Sequence, residues 1–311
     1  MTGKTCIIFC PSRRLFSTSK KRRERIESLL TAYGIEYDLI ESERKQSVSR
    51  LVLMLVKNNY DNIIIAGGDA ALSDAVNSLM RLEKQTRLRI ALGVIPNGTM
   101  NDFAGYWGFR YDDPEYCIAS LLEHRTRRID VGAVRYTNSR GEEEIHYFIN
   151  SVAIGLLAQI QRLRQQAKHT FFGSKEMAFL PSLLMMIFHK LSYRVQYTMH
   201  HETESRRINT LSIGNGKGYG LTPNAVPYSG TLDVTAVEES VWTQFASAAY
   251  LFLRGRILNH KTALPYRTRE ISISSSTSRL PLSIDGRPAP TPDSPVQISV
   301  AAEEINFIIE K

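Results

Sequence analysis

The chain has 311 residues, 43% of them hydrophobic and 23% charged. That length allows about two domains of ordinary size, and that composition excludes a disordered tail or a collagen-like fibre. Lys and Arg outnumber Asp and Glu by 39 to 31, a formal charge of +8 that favours anionic partners without choosing among nucleic acid, nucleotide phosphates and acidic membrane.

Thr5–Cys10 reads as a buried strand. The cysteines, at 6, 10 and 117, are too few and scattered for a disulfide framework, which points to a reducing compartment. Cys6 and Cys10 fall on one face of the strand, where apolar packing is their ordinary role. Lys20–Tyr33 has helical spacing, with Ile26, Leu29, Leu30 and Tyr33 as its apolar stripe. Glu36–Ile40 is a short strand, Ser47–Asn58 a helix, Asn62–Ala66 another buried strand, Ser73–Leu82 a helix and Ala91–Ile95 a further strand. Asn101–Trp107 and Pro114–His124 complete the alternation. Strands separated by helices imply βαβ units and a mainly parallel sheet.

From Arg128 onward, short alternating segments take over: Ile129–Tyr136, Glu144–Ser151, Tyr193–Met199, Arg207–Gly214, Thr231–Val237, Arg269–Ser274 and Gln297–Val300. They read as antiparallel strands of a β-rich second domain, interrupted by helical material at Leu156–Lys190 and Trp242–Leu258. The expected division is residues 1–129 and 130–311, with the last residues returning to the first domain. No secretory signal is visible. The most apolar stretch, Met177–Phe188, contains Pro181 and falls short of the about 20 residues that a membrane span needs. A cytoplasmic location is expected.

Two loops carry the chemistry. Gly67-Gly68-Asp69-Ala70 stands between a strand and a helix, where adjacent glycines admit phosphate to backbone N–H groups and the helix start adds positive potential. An ordinary strand–turn–helix with Asp69 as a cap would read the same way. Pro96-Asn97-Gly98-Thr99-Met100-Asn101-Asp102 follows the next strand and supplies a hydroxyl, an amide and a carboxylate. Thr99 can bond a phosphate oxygen; Asn101 and Asp102 can cap the next helix or bind nucleotide and metal. Polar loops at consecutive strand ends would face one crevice.

This pair resembles the diacylglycerol kinase catalytic family, soluble lipid kinases that include the sphingosine kinases, whose pattern is GGDGT followed by PxGTxND. The likeness continues through Arg128-Ile129-Asp130-Val131-Gly132, Phe148-Ile149-Asn150 with Gly155, and Gly214-Asn215-Gly216 with Gly220 and Pro223, to Ile284-Asp285-Gly286. It covers nearly the whole chain, in order. It implies an α/β N-terminal domain with a mainly parallel sheet, like that of NAD kinases, a C-terminal β-sandwich domain, and an active-site cleft between them. It further implies transfer of the ATP γ-phosphoryl group to a lipid hydroxyl, with Mg²⁺. Ser12, Arg13, Gly67, Gly68, Asp69, Pro96, Gly98, Thr99, Asn101 and Asp102 would then bind nucleotide, and Asp69 and Asp102 the Mg²⁺ that accompanies it. Asp285 takes the base role by this resemblance; in sphingosine kinases the residue matching Asp69 is regarded as the base.

The chain departs from that pattern at Ala70 and Ala71 for Gly and Thr, at Cys10 for the Asn of NPxxG, at Ser229 for a metal-binding Asp, and at Arg287 for the Glu of DGE. Ser229 predicts no tightly held metal in Tyr228–Asp233. The departures keep open a degenerate kinase fold that binds nucleotide or lipid without catalysis. An NAD kinase-like enzyme is the other alternative, against which stands the absence of an NE pair after a glycine-rich LGFL segment. Lys20-Lys21-Arg22-Arg23 with Arg25 reads either as a solvated helix face or as a contact for an anionic membrane surface. Phe179, Leu183 and Met186, in the apolar stretch, are core or acyl-chain contacts. No zinc pattern or basic–aromatic interleaving supports nucleic-acid binding. The expected partners are a lipid acceptor, a peripherally visited membrane and, for the oligomeric state, a homodimer as one option.

Overall fold

The computed structural model describes residues 3–11, 19–43, 47–138, 140–170, 192–217, 220–275, 280–290 and 295–310. Two units divide the chain: Met1–Val131 with Ala302–Lys311, and Gly132–Ala301.

The first unit runs β1 (Thr5–Phe9), α1 (Ser19–Ala32), β2 (Asp38–Glu41), α2 (Ser47–Lys57), β3 (Asn62–Gly67), α3 (Asp69–Leu79), α4 (Lys84–Arg89), β4 (Ala91–Pro96), α5 (Asp102–Tyr106) and α6 (Pro114–Glu123), then enters β5 (Thr126–Thr137). The strands β2-β1-β3-β4 are parallel neighbours in that order. Every residue of β1, β3 and β4 is buried, as expected for parallel strands with both faces covered. Ile7, Phe9, Ile64, Ala66 and Ile95 share a core with Ile26 and Leu30 of α1 and Ile118 and Leu121 of α6. On α1, Tyr33 lies past the helix end and is exposed, and the buried residues are Arg22, Ile26 and Leu30. Arg23 pairs with Glu27 and Glu41 and Lys20 with Glu24, so the basic run is not one uniform positive face.

The second unit contains β6 (Glu143–Phe148), β7 (Ser151–Gly155), α7 (Leu156–Thr170), β8 (Tyr193–Met199), β9 (Glu202–Gly214), β10 (Leu232–Glu238), α8 (Trp242–Leu253), β11 (Ala263–Thr268), β12 (Glu270–Ser274), β13 (Leu282–Ile284) and β14 (Arg287–Ala289), and is left through β15 (Val296–Ile308). It is an antiparallel β-sandwich. Strand β9 is long enough to serve two sets of neighbours: Glu202–Ile208 pairs with β8, while Thr210–Gly214 pairs with β7 and also with β10. Alternate residues of these strands, among them Val152, Ile154, Val195, Tyr197, Leu211, Ile213, Val234, Ile273 and Ile298, form one buried core. The opposite face of β7 and its neighbours lies under α7 and α8, with Ala153, Leu157, Ala158, Val237 and Ala248 packed together.

Three expectations change. The helix placed at Ser73–Leu82 begins at Asp69, directly after β3. The strand expected over Glu144–Ser151 breaks at Ile149–Asn150 into β6 and β7, because the backbone there is drawn aside by a carboxylate described below. The last strand does not stop at Val300: it continues to Ile308, and its Asn306 and Phe307 pair in parallel with Ala91 and Leu92 of β4. The continuation of Leu156–Lys190 beyond Thr170 lies outside the described residues.

The β5–β6 ladder is tied near its end by Glu144, whose carboxylate accepts from Asn138 Nδ2 and Tyr136 Oη, both at 2.8 Å, and contacts His146 Nε2 at 3.2 Å. The Asn138 hydrogen bond first, then Tyr136 and His146, pull the Glu144 pKa from 4.5 down to about 2. A depressed carboxylate contributes stability above its unfolded pKa and loses it as pH falls through the folded one. Thermal unfolding followed between pH 5 and 2 is therefore expected to show a smaller loss of Tm for Glu144→Gln than for wild type across about pH 4.5 to 2.

Candidate active site

β3 and β4 are paired from Asn62↔Ala91 to Gly67↔Pro96, so their carboxyl ends release the two glycine-bearing loops side by side. Asp69 is the first residue of α3, and its carboxylate crosses to the neighbouring loop. Oδ2 accepts from Asp102 N at 2.9 Å and Oδ1 from Phe103 N at 3.0 Å. Two N–H groups that α5 cannot satisfy internally thus meet a negative charge, which a helix start favours.

The loops also touch backbone to backbone. A Cβ on Gly98 would lie 2.4 Å from Gly68 Cα and 2.8 Å from Asn101 Oδ1, and a Cβ on Gly68 would lie 2.8 Å from Gly98 Cα. The bare backbone here serves loop-on-loop contact as well as any ligand. Asn101 holds a left-handed φ of 56° and braces its own loop: its Oδ1 accepts from Gly98 N at 2.8 Å and its Nδ2 donates to Gly98 O at 3.0 Å. The structure thus brings Gly67, Gly68, Asp69, Pro96, Gly98, Thr99, Asn101 and Asp102 into one loop pair. Thr99 and Asp102 are half-buried and Met100 is exposed. Ser12 and Arg13 lie outside the described residues, as do Phe179, Leu183 and Met186.

Sequence reasoning missed two supports of this pair, giving Asn97 no role and placing Arg22 on a solvated or membrane-facing surface. Asn97 is buried, and its Nδ2 donates to Cys10 O at 2.9 Å while its backbone N donates to Gly67 O at 2.8 Å. Arg22, 7% exposed, donates from Nη2 to Pro96 O at 3.0 Å and lies 4.3 Å over the Tyr111 ring. Its signal was positional: with Ile26 and Leu30 it forms an i, i+4, i+8 row on α1.

In the second unit, Asp285 and Gly286 are the two residues joining β13 to β14, with φ of 45° and 71°. Positive φ at both positions is what a two-residue type I′ hairpin requires. Asp285 is also 5% exposed, and its carboxylate accepts from Ile149 N at 3.1 Å, Asn150 N at 2.9 Å and Ser151 N at 3.2 Å. These three bonds turn the chain between β6 and β7. Beside the turn, Asn150 Oδ1, Ser151 Oγ and Ser283 Oγ are buried without a hydrogen-bond partner among the described residues. Ser283 sits opposite Ala153, and Ala153 opposite Ser212, whose Oγ is unpartnered in the same sense. Opposed residues share a face, so small polar groups form a row on the side of the sheet that α7 covers.

No group of three or more His, Cys, Asp or Glu side chains among the described residues could cage a metal. Mg²⁺ commonly needs only one or two carboxylates when substrate phosphates and water complete its shell. A carboxylate offers about four lone-pair positions, so Asp69, after its two backbone bonds, still fits an ion that arrives with a nucleotide. At Tyr228–Asp233, Ser229 Oγ bonds the Thr231 hydroxyl at 2.9 Å and Asp233 is bridged by Arg267 Nε at 2.9 Å.

The contact between Gly68 and Gly98 generates an expectation. Gly98→Ala must push backbone against backbone, so it is expected to destabilise the first unit by about 1–3 kcal/mol. Thermal unfolding checks this; an unchanged Tm would contradict the close approach.

The diacylglycerol kinase catalytic domain matches residues 16–134, and the YegS C-terminal NAD kinase beta sandwich-like domain matches residues 150–309. A protein of Shewanella frigidimarina named "Probable lipid kinase YegS-like" is 25% identical over 286 residues, covering 90% of this chain and 86% of that one. A diacylglycerol kinase of Staphylococcus aureus is 29% identical over 277 residues, covering 85% and 81%. The crystal structure of a diacylglycerol kinase from Bacillus anthracis superposes with a TM-score of 0.70 at 16% identity, covering 100% of this chain and 98% of that one. The two matched domains lie in order along the chain and fall on the α/β unit and the β-sandwich: the chain belongs to the diacylglycerol kinase family of lipid kinases.

Proposed function

We propose that this protein transfers the γ-phosphoryl group of ATP to the hydroxyl of a lipid, either a diacylglycerol-like or a sphingoid acceptor. The observation that carries the reading is the joining of the Gly67–Asp69 and Pro96–Asp102 loops by the Asp69 carboxylate at adjacent parallel strand ends. Such a pair suits a triphosphate, because ligands of open parallel sheets bind outside the carboxyl ends of the strands. In the reaction a lipid oxygen forms a new P–O bond, the bond from the γ-phosphorus to the bridging oxygen of ADP breaks, and the hydroxyl proton leaves to a carboxylate or water. Mg²⁺, held by Asp69 and Asp102 together with the phosphates, would spread the charge that develops on them. On this reading Gly68, Gly98 and Thr99 seat the phosphates. Arg22 and Asn97 keep the loop in shape from beneath.

Asp285 is proposed for the acceptor side, as the base. Its turn is flanked by Ser151, Ser283 and Asn150, which offer neutral polar atoms of the kind a neutral hydroxyl compound uses. The alternative of binding without catalysis rests on Ala70, Ala71 and Arg287, where the chain lacks a glycine, a hydroxyl and an acid of the family pattern.

Labelled ATP presented with a panel of lipids tests the reading; phosphorylation of none of them moves the assignment to the binding alternative. Thr99→Ala is expected to raise the KM for ATP without lowering Tm. Asp285→Asn is expected to lower turnover about 10²–10⁴-fold with ATP affinity nearly intact. Because an amide cannot accept all three backbone hydrogen bonds, Asp285→Asn should also cost about 1–3 kcal/mol of stability. Full turnover in that variant would remove Asp285 from the mechanism.

A further inference from the structure

The second unit carries a surface outside the residues assigned above to the proposed phosphoryl transfer. Helix α8, WTQFASAAYLFL, has no charged residue along its whole length. A surface helix of a globular protein ordinarily presents charges on its outer face. Here Thr243, Ala246, Ser247 and Tyr250 are exposed and recur at helical spacing on one side. Tyr250 and Val241, just before the helix, are each 57% exposed, the largest exposures among the large hydrophobic side chains of the described residues. Among the described residues the engaged side is the opposite one: Ala248 is buried, and Phe252 packs on the cluster of Leu157, Leu221 and Val237 that covers the sheet.

The charges lie at the helix end. Ser240–Arg269 contains Arg254, Arg256, Lys261, Arg267 and Arg269 and no Asp or Glu. Arg254, Arg256 and Lys261, which follow the helix directly, are exposed. The acids that precede α8 are matched: Glu238 is bridged by Arg206 at 2.5 Å and Glu239 by Arg207 at 3.7 Å. Arg254 lies 5.3 Å from the Tyr250 ring, so a cation and an amphipathic aromatic ring share the end of the uncharged face.

We infer that α8 and the basic segment after it form a membrane-docking surface for anionic lipid. Uncharged side chains with an aromatic at the edge suit the headgroup boundary, and the cations after them suit a negative surface potential. The two acids that precede the helix are matched by arginines, which weakens their repulsion of that surface. A second copy of the chain would meet the same three cations on its own face, which disfavours a self-pairing contact.

Co-sedimentation of the full chain with vesicles, without ATP, tests this separately from the kinase reading. Wild type is expected to bind vesicles containing phosphatidylglycerol and to bind pure phosphatidylcholine at least tenfold more weakly. Ala246→Glu places a charge on an exposed position and should lower binding to the anionic vesicles about tenfold while leaving Tm unchanged. Arg254→Glu with Arg256→Glu should do the same and remove the dependence on phosphatidylglycerol. Sedimentation velocity is run on the same variants. The inference is overturned if wild type ignores anionic vesicles, if Ala246→Glu binds them as well as wild type does, or if wild type is a dimer that Ala246→Glu separates while vesicle binding persists.

Discussion

Everything proposed for the first unit depends on one carboxylate satisfying two backbone donors across a gap between strands. Asp69 starts α3 and caps the start of α5, which ties the loops after β3 and β4 to each other. The contact works only because the backbones can approach without side chains between them, which is why glycine stands at 68 and 98. Asn97 and Arg22 then fix the far side of the same loop to β1 and α1. On the proposed reading, a site for three phosphates gains from such rigidity, since positioning rather than covalent chemistry carries most of phosphoryl transfer.

The second unit repeats the device with a different carboxylate. Asp285 bends the chain between β6 and β7 by accepting three N–H groups, and its own left-handed backbone makes the tight hairpin. Both acids that the family pattern singles out are thus structural members of their units. An aspartate in such a place is constrained twice, by the loop it holds and by the reaction proposed for it.

Much of this was legible in the chain. Period and punctuation located the parallel strands, because fully buried strands are continuous apolar runs bounded by Gly, Pro and Asn; NIIIA and ALGVI are unmistakable in that sense. The loop motifs located the residues that the structure gathers at the ends of β3 and β4, since they carry polar groups at fixed offsets from those strands. What the chain did not show is where side chains spend their hydrogen bonds. Asp69 looks the same whether it faces ligand or a neighbouring helix start, and Arg22 is hidden in a basic run whose other members face water or acids. The break at Ile149–Asn150 is imposed by a residue far along the chain, and no local pattern announces it. Helix α4 and the short strands β13 and β14 were missed because a few residues are too short to establish a period.

The return of β15 to the first unit sets an order of events. Ile305, Phe307 and Ile308 are fully buried there, and Asn306 and Phe307 extend the parallel sheet beyond β4. During synthesis, then, the N-terminal unit emerges early with one side of its sheet uncovered, and it is completed only after the whole sandwich between has left the ribosome. An edge of β4 stays open to pairing for that interval, and long-range closure of this kind is the slow step in folding. The same arrangement makes the C-terminal segment a latch: whatever detaches it uncovers the edge of β4 at Ala91 and Leu92 without touching a residue of the loops that follow β3 and β4.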